Sequence, residues 1–416
     1  MANLLYVHNE IGRLQRVLVH RPGRELLNLM PRDLNRLLFD DIPFLEVARE
    51  EHDQFVELLC AEGAQVVYLE DLCAEALDAA GSRGEFTDAW LDESGLKGGR
   101  VRAAVHEYLD ALPTTRALVD RCIAGLRKNE LDLSGHAGTT LASIVGYDRD
   151  TETDLLIEPM PNAYFTRDPF AVVGRGVALN HMYSKTRRRE TLLGRFVFRD
   201  HPDYRDAPLW YRRDATYHME GGDILNLGPR TLAIGISQRT EAAAIDDLAQ
   251  HMLWALAEHC EIEAIYAFNI PVSRAFMHLD TVFTQIDVDK FTVHPAILGN
   301  LQVFRLTRGV RRGEVRIEEM NDHLERVLAH ALGLDCVTLI RCGGGDPVAA
   351  AREQWNDGSN TLAVAPGRIC VYQRNTVTNE ALYRAGLELI EVPSAELSRG
   401  RGGPRCMSMP LARAGV

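Results

Sequence analysis

No stretch of the sequence approaches the roughly 20 consecutive apolar residues that a bilayer-spanning helix requires. The first residues, MANLLYVHNEIGRLQR, hold no basic segment followed by an apolar one, so no secretory leader is expected. Cysteine is sparse, at eight in 416 residues (Cys60, Cys73, Cys122, Cys260, Cys336, Cys342, Cys370 and Cys406). None forms a CxxC pair, so disulfide scaffolds, zinc ribbons and thioredoxin-like motifs lack their spacing. The expectation is a cytoplasmic protein with reduced thiols, most of them buried as small hydrophobes. Positive charge is also short: 46 Lys and Arg face 59 Asp and Glu, for a net charge of −13. That balance argues against nucleic acid and against anionic membrane surfaces as partners. GxxxxGK and HExxH are both missing, which leaves a P-loop and the commonest zinc-hydrolase helix unsupported.

What is present is ordinary globular composition, 46% hydrophobic and 25% charged, arranged in a repeating phrase. A strand, a tight turn, a second strand, an amphipathic helix and a third strand recur along the chain. The strand–turn–strand part reads as NAYFTRDPFAVVGRGVALNHM (162–182), MEGGDILNLGPRTLAIGIS (219–237), MHLDTVFTQIDVDKFTVHP (277–295) and NTLAVAPGRICVYQR (360–374). A less complete first copy sits at LQRVLVHRPG (14–23). The helix–strand part reads as FVELLCAEGAQVVYLEDL, LAQHMLWALAEHCEIEAIYAF, ERVLAHALGLDCVTLI and ALYRAGLELIEVP, three of them with Gly near the helix stop. Five strand-rich units, none able to bury its apolar face alone, suggest a closed radial arrangement. From about Asp71 to Thr153 the rhythm breaks into helical patterns, including LCAEALDAAG, VRAAVHEYLDAL and GTTLASIVGY, read as an insertion between the first and second units.

Polar residues stand at the openings of these units: Asp168 in NAYFTRDPF, Glu220 and Asp223 in HMEGGD, His278 and Asp280 in MHLDT, and Cys406 after the glycine-rich GRGGPR. Singly, each has a bland reading. An acid before a strand is usually a solvated turn residue, a lone His a hydrogen-bonded core residue, a lone Cys structural. Together they are informative because one structural slot repeatedly carries charge, and a radial arrangement would bring these residues to one pocket. Carboxylates around a thiol raise its pKa, so the set makes sense if the substrate is itself a cation that stabilises the thiolate. A planar guanidinium, with donors matched to two carboxylates, fits. A metal site and a papain-type protease remain as rivals. The HxD pair at 278 and 280, placed on one face of a strand, would suit a metal as well, whereas a carboxylate-rich pocket is poor for a neutral peptide carbonyl. CGGGDP (342–347) reads as a turn.

MPNAYFTRDPF, HMEGGDIL, MHLDTVFT, REQWNDGSNTLAVAPG and GRGGPRCMSMPL closely resemble the arginine deiminases of bacteria, and the resemblance covers essentially the whole chain. It implies an α/β fold, the five-bladed pseudo-symmetric propeller of the guanidino-group-modifying enzymes. Residues 1–70 and 154–416 would form the catalytic domain and 71–153 an inserted helical domain. It implies hydrolysis of L-arginine to L-citrulline and ammonia, the first step of arginine breakdown, without metal or organic cofactor. By the same resemblance Cys406 is the nucleophile that forms a covalent thiouronium, and His278 protonates the departing ammonia and then activates water. Asp168 and Asp280 clamp the guanidinium, and Glu220 holds it and assists His278. Arg187 and Arg239 match positions that take the substrate carboxylate. Asn162, Phe165, Gly400 and Arg401 match pocket-lining positions, the last two on a loop able to close, and Asp223 is expected near the substrate ammonium. Arg405 stands at a position that varies in the family. A homo-oligomer, dimer or tetramer, is the family habit. Agmatine, methylated arginine, amidino transfer and a binding-only protein are the competing readings, and agmatine would leave Arg187 and Arg239 without a purpose.

Overall fold

The alternating apolar runs fold as five sheets on one plan, and among the described residues a sixth, two-stranded sheet pairs Leu126–Arg127 with Leu155–Ile157. The computed structural model describes residues 4–96, 99–131, 155–272, 276–299 and 301–416. In four sheets an antiparallel hairpin is followed, across a helix, by a strand parallel to its second arm. These are Phe170–Val173, Gly176–Leu179 and Leu209–Tyr211; Ile224–Gly228, Thr231–Ile236 and Ala264–Asn269; Phe283–Gln285, Lys290–Val293 and Thr338–Arg341; and Leu362–Ala365, Arg368–Tyr372 and Glu388–Val392. The helices are Glu190–Asp200, Ala242–Gln250, Leu324–Leu332 and Thr376–Arg384. A parallel return needs such a crossover, which accounts for the strict alternation of strand and helix patterns.

The incomplete first copy is completed from the other end of the chain. Leu14–Val19 pairs in parallel with Gln65–Tyr68 across the helix Leu45–Ala61, and antiparallel with Met409–Arg413. The Arg413 guanidinium is buried in this join and donates to the carbonyls of Gly12 and Ala363.

Helix ends follow the sequence signals. Gly333 takes the left-handed conformation (φ +69°) just after Leu324–Leu332, as a C-terminal cap requires. Between the first and second sheets run Leu69–Ala80, Arg83–Glu93, Gly99–Asp110 and Thr115–Ala124. The helical stretch begins two residues ahead of the expected Asp71. Phe86 meets Phe196 edge to face at 5.3 Å, and Trp90, Leu118 and Cys122 share one apolar cluster with Phe170 and Val172 of the second sheet. Among the described residues, these helices thus share an apolar cluster with the second sheet. The expected helical run GTTLASIVGY lies outside the described residues.

Three elements depart from the sequence reading. The hairpin Gln302–Arg308 and Val315–Glu319 extends the third sheet to five strands. CGGGDP is a turn, with positive φ at three glycines, but it leads into a helix, Pro347–Gln354, whose first turn is capped by Asp346. The HxD pair does not lie on a strand. His278 is the extended residue before a single helical turn, Leu279–Val282, because the Asp223 carboxylate accepts the Leu279 N–H at 2.8 Å and fixes the start of the turn.

The terminal strand should carry much of the fold's stability. Leu411→Ala, at a fully buried position of Met409–Arg413, is expected to cost about 2–5 kcal/mol by urea unfolding. Removal of the exposed Val416 should shift the midpoint by almost nothing.

Candidate active site

Each of the five sheets contributes polar residues from the same place, the few residues before its first strand. Asp168 precedes Phe170–Val173, and Glu220 with Asp223 precedes Ile224–Gly228. His278 and Asp280 precede Phe283–Gln285, Asp357 and Asn360 precede Leu362–Ala365, and Cys406 precedes Met409–Arg413. Nearly all of these side chains are withdrawn from solvent, Glu220, Asp223, Asp280 and Asn360 completely so. Asp357 and Asn360 are the pair that the sequence reading missed. They lie in QWNDGSN and occupy the slot that had drawn attention in the other units.

Cys406 is 4% exposed, and its Sγ stands 3.8 Å from Asp280 Oδ2. Its backbone N–H donates to Asn360 Oδ1, and its carbonyl accepts from the Arg167 N–H, so the nucleophile candidate is fixed from two sides. Burial, and then Asp280, Asp168 and Asp357, push its thiol well above the ordinary cysteine value. The protein on its own therefore keeps this sulfur protonated.

His278, by contrast, is held as a cation. Burial works against its cation. Asp168, the hydrogen bond between Nε2 and Glu220 Oε2 (2.8 Å), and Asp223 outweigh that penalty and raise it to about 9. Glu220 is held down at about 2, against burial, by Arg239 and His278. His278 Nδ1 faces Asp168 Oδ1 at 3.8 Å. Gly222 makes this approach possible, since a Cβ there would meet the His278 ring at 2.7 Å.

A cavity of about 20 Å³ joins Cys406, His278 and Asp168 to Asn162, Phe165, Arg187 and Arg239, under a roof of Gly400 and Arg401. It has room for about one water. Leu38 and Met277 also line it and carried no sequence signal beyond being apolar. Arg401 holds the roof down through Asp40 (3.0 Å) and lies over the Trp355 ring at 3.7 Å. Gly400 passes so close to Tyr164 and Phe165 that a Cβ would strike both. Asn162 donates from Nδ2 to the Leu37 carbonyl, tying the pocket wall to the segment that presents Leu38.

Two expected residues, Asp223 and Arg187, are engaged differently from expectation. Asp223 is not open to a ligand: Ser237 and Thr240 donate to Oδ2 and Leu279 N–H to Oδ1, so it shapes the His278 turn. Every nitrogen of Arg187 is engaged, Nη1 by Asp168 Oδ2 (2.6 Å) and Nε and Nη2 by Glu190, which puts it behind Asp168 as a counter-ion. Arg239 is different. It lies 3.7 Å from Glu220 and its buried Nε has no hydrogen-bond partner, so it is the arginine with a donor to spare.

Asp168, Glu220 and His278 bring ligand atoms within 4.8 Å of one another. Arg187 on Asp168 and Arg239 near Glu220 already deliver positive charge to these carboxylates. The larger clefts lie elsewhere. One of about 420 Å³ opens beside His20, an imidazolium that Glu70 (2.7 Å) and Glu25 (3.2 Å) hold protonated to about pH 10 despite burial. Its walls carry Arg21, Arg24, Arg49, Arg116 and Arg121 as well as Glu25, Glu70 and Asp120.

A family model described as arginine deiminase matches residues 35–413. The arginine deiminase of Treponema denticola is 50% identical over 412 residues, covering 99% of this chain and 98% of that protein. That of Clostridium perfringens is 49% identical over 421 residues, covering 98% of each. Among solved structures, the amidinotransferase SxtG from Microseira wollei superposes with a TM-score of 0.54 at 15% identity, covering 99% of this chain and 98% of that one. A dimethylarginine dimethylaminohydrolase adduct with S-methyl-L-thiocitrulline gives 0.51 at 16% identity, covering 95% and 99%. These two show a shared α/β fold.

The raised thiol gives a direct test. Iodoacetamide at pH 7.5, followed by peptide mapping, should label the exposed Cys60 and Cys336 well before Cys406. Preferential labelling of Cys406 would contradict a protonated resting sulfur.

Proposed function

Because the chain belongs to the arginine deiminase family, matching its relatives over nearly the whole length, we propose that the strand-entry cluster is where L-arginine becomes L-citrulline and ammonia, with Cys406 as the nucleophile. The reaction is hydrolysis of the guanidino C–N bond. The observation that carries the site assignment is a set of three orphaned carboxylate oxygens, one of them Asp357 Oδ2. The other two are Asp168 Oδ1, 3.8 Å from His278 Nδ1, and Asp280 Oδ1, on the carboxylate whose Oδ2 lies 3.8 Å from Cys406 Sγ; both are buried without a hydrogen-bond partner. A buried carboxylate oxygen left bare costs free energy, and a guanidinium N–H supplies what each lacks.

The chemistry follows from the charges. Free, the site holds a neutral thiol among carboxylates; the entering guanidinium brings the positive charge that lets the sulfur lose its proton to solvent water. The thiolate adds to the guanidinium carbon. As the tetrahedral adduct collapses, His278 gives its proton to the departing nitrogen, ammonia leaves, and a thiouronium joins substrate to Cys406. Neutral His278 then takes a proton from water, which adds to the same carbon. The C–S bond breaks, the adduct's hydroxyl proton passes to the departing sulfur and restores the thiol, and citrulline is released. Glu220, at 2.8 Å from Nε2, fixes the ring so that the opposite nitrogen does this work. Arg239, with its spare donor, takes the substrate carboxylate. Arginine exceeds the closed cavity, so the roof at Gly400 and Arg401 lifts for entry and closes to exclude water.

The same reading extends to architecture. The five sheets are blades of a pseudo-symmetric propeller with 71–153 inserted as a helical unit. Support comes from the repeated strand plan, the terminal strand that completes the first sheet, and the convergence of equivalent slots. The protein works as a cytoplasmic homo-oligomer, in keeping with eight unpaired cysteines and with the habit of the family it resembles.

Two outcomes are expected. Arg239→Ala should raise KM for arginine about 10- to 100-fold, the loss of a charge-assisted hydrogen bond, with kcat within a few-fold; a low kcat at unchanged KM would contradict its role. The alkaline limb of kcat/KM should lie near pH 9, where His278 loses its proton. Glu220→Gln, which removes a group that raises His278, should move that limb downward; an unmoved limb would detach it from His278.

A further inference from the structure

Two of the three site aspartates with bare oxygens, Asp168 and Asp280, are held by two buried relays of the same composition. In the first, Glu190 accepts from Nε and Nη2 of Arg187, and Arg187 Nη1 donates to Asp168 Oδ2 at 2.6 Å. In the second, Glu10 accepts from Nε (3.1 Å) and Nη2 (3.2 Å) of Arg405, and Arg405 Nη1 donates to Asp280 Oδ2 at 2.6 Å. In both, one carboxylate oxygen is taken by a protein guanidinium and Oδ1 is left bare. Arg405 is fully buried, and its Nη2 also donates to the Ile224 carbonyl. Glu10, from the far end of the chain, accepts the Asn226 N–H as well, so both partners are anchored to the start of the third sheet.

We propose that Arg405, held in place by Glu10, is a positioning residue for the reaction: it occupies Asp280 Oδ2, turns Oδ1 toward the substrate guanidinium, and supplies the fixed cation that lets this carboxylate stand beside Cys406. This rests on the assignment of Asp280 and Cys406 given above. Two features make Arg405 suited to it. Its rigid fork serves Glu10 through Nε and Nη2 and Asp280 through Nη1 at once, which a lysine ammonium cannot do. And Glu10 keeps it from swinging into the space that the substrate's own guanidinium must fill.

The electrostatics agree with the geometry. Asp280 faces His278, Asp168, the Cys406 thiol, Asp357, Arg167 and Arg405. Burial raises it and Asp168 raises it further; Arg405 is the largest opposing influence, followed by His278. A carboxyl that takes up a proton here could no longer clamp a cation, so loss of Arg405 should make binding fail as the pH falls.

The test compares Arg405→Lys with the double variant Arg405→Met/Glu10→Gln, which removes the internal ion pair as a unit and leaves no unmatched Glu10 charge. Thermal melts establish that each is folded, and kcat and KM for arginine are measured from pH 5 to 9. In the double variant the acid limb of kcat/KM should move upward by about one pH unit or more. Arg405→Lys keeps the cation and loses the fork. It should leave the acid limb in place while kcat/KM drops by about tenfold or more, through misplacement of Asp280. A purely structural role would lower the melting temperature and leave both the limb and KM where they were. An unmoved limb in the folded double variant, or wild-type kcat/KM in Arg405→Lys, overturns the proposal. If the double variant does not fold, Arg405→Lys alone decides. Wild-type turnover of arginine beside these results would leave the function reading intact; no turnover by the wild type would sink that reading instead.

Discussion

The structure depends on a solution to one electrostatic problem, how to bury several carboxylates around a thiol. Glu10, Asp168, Glu190, Glu220, Asp223, Asp280 and Asp357 are all withdrawn from water within one region. An unpaired buried charge costs several kcal/mol even after relaxation. The chain answers with guanidinium groups on fixed mounts: Arg187 for Glu190 and Asp168, Arg405 for Glu10 and Asp280, Arg239 near Glu220. The balance is incomplete at three oxygens, Asp168 Oδ1, Asp280 Oδ1 and Asp357 Oδ2. A substrate guanidinium is chemically the same group as the internal ones, so it completes the set.

The fold serves this arrangement by repetition. Each sheet begins where a loop arrives at the same relative place, so a few residues before five first strands meet in one volume. The nucleophile's strand, Met409–Arg413, is also the strand that completes the first sheet. Stability and chemistry are thereby joined, because residues at the extreme ends of the chain, Glu10 and Arg405, must be packed together before Cys406 has its surroundings.

Much of this was legible in the sequence because it depends on local signals. Alternating runs with glycine turns marked the hairpins, helix periodicity marked the crossovers, and a charge recurring in one slot marked the site. What was not legible depends on distance. Nothing in LQRVLVHRPG tells that its partner strand lies about 400 residues away. Nothing in GRGGPRCMSMPL tells that Arg405 points inward onto Asp280 and Glu10, since an arginine beside glycines reads as exposed. Arg187 and Asp223 were legible as neighbours of the site but not in their roles, which depend on which acceptors reach them first. The one-turn helix at His278 escaped because a carboxylate from another unit fixes it.

The central claim is that Cys406 bonds covalently to the guanidino carbon during turnover, and the most direct measurement is the mass of the Cys406 peptide in enzyme quenched with acid within milliseconds of mixing with excess arginine. The account predicts a transient species heavier by arginine less ammonia, confined to Cys406 and gone when substrate is exhausted. Steady accumulation of citrulline while the Cys406 peptide stays unmodified at every quench time would contradict it.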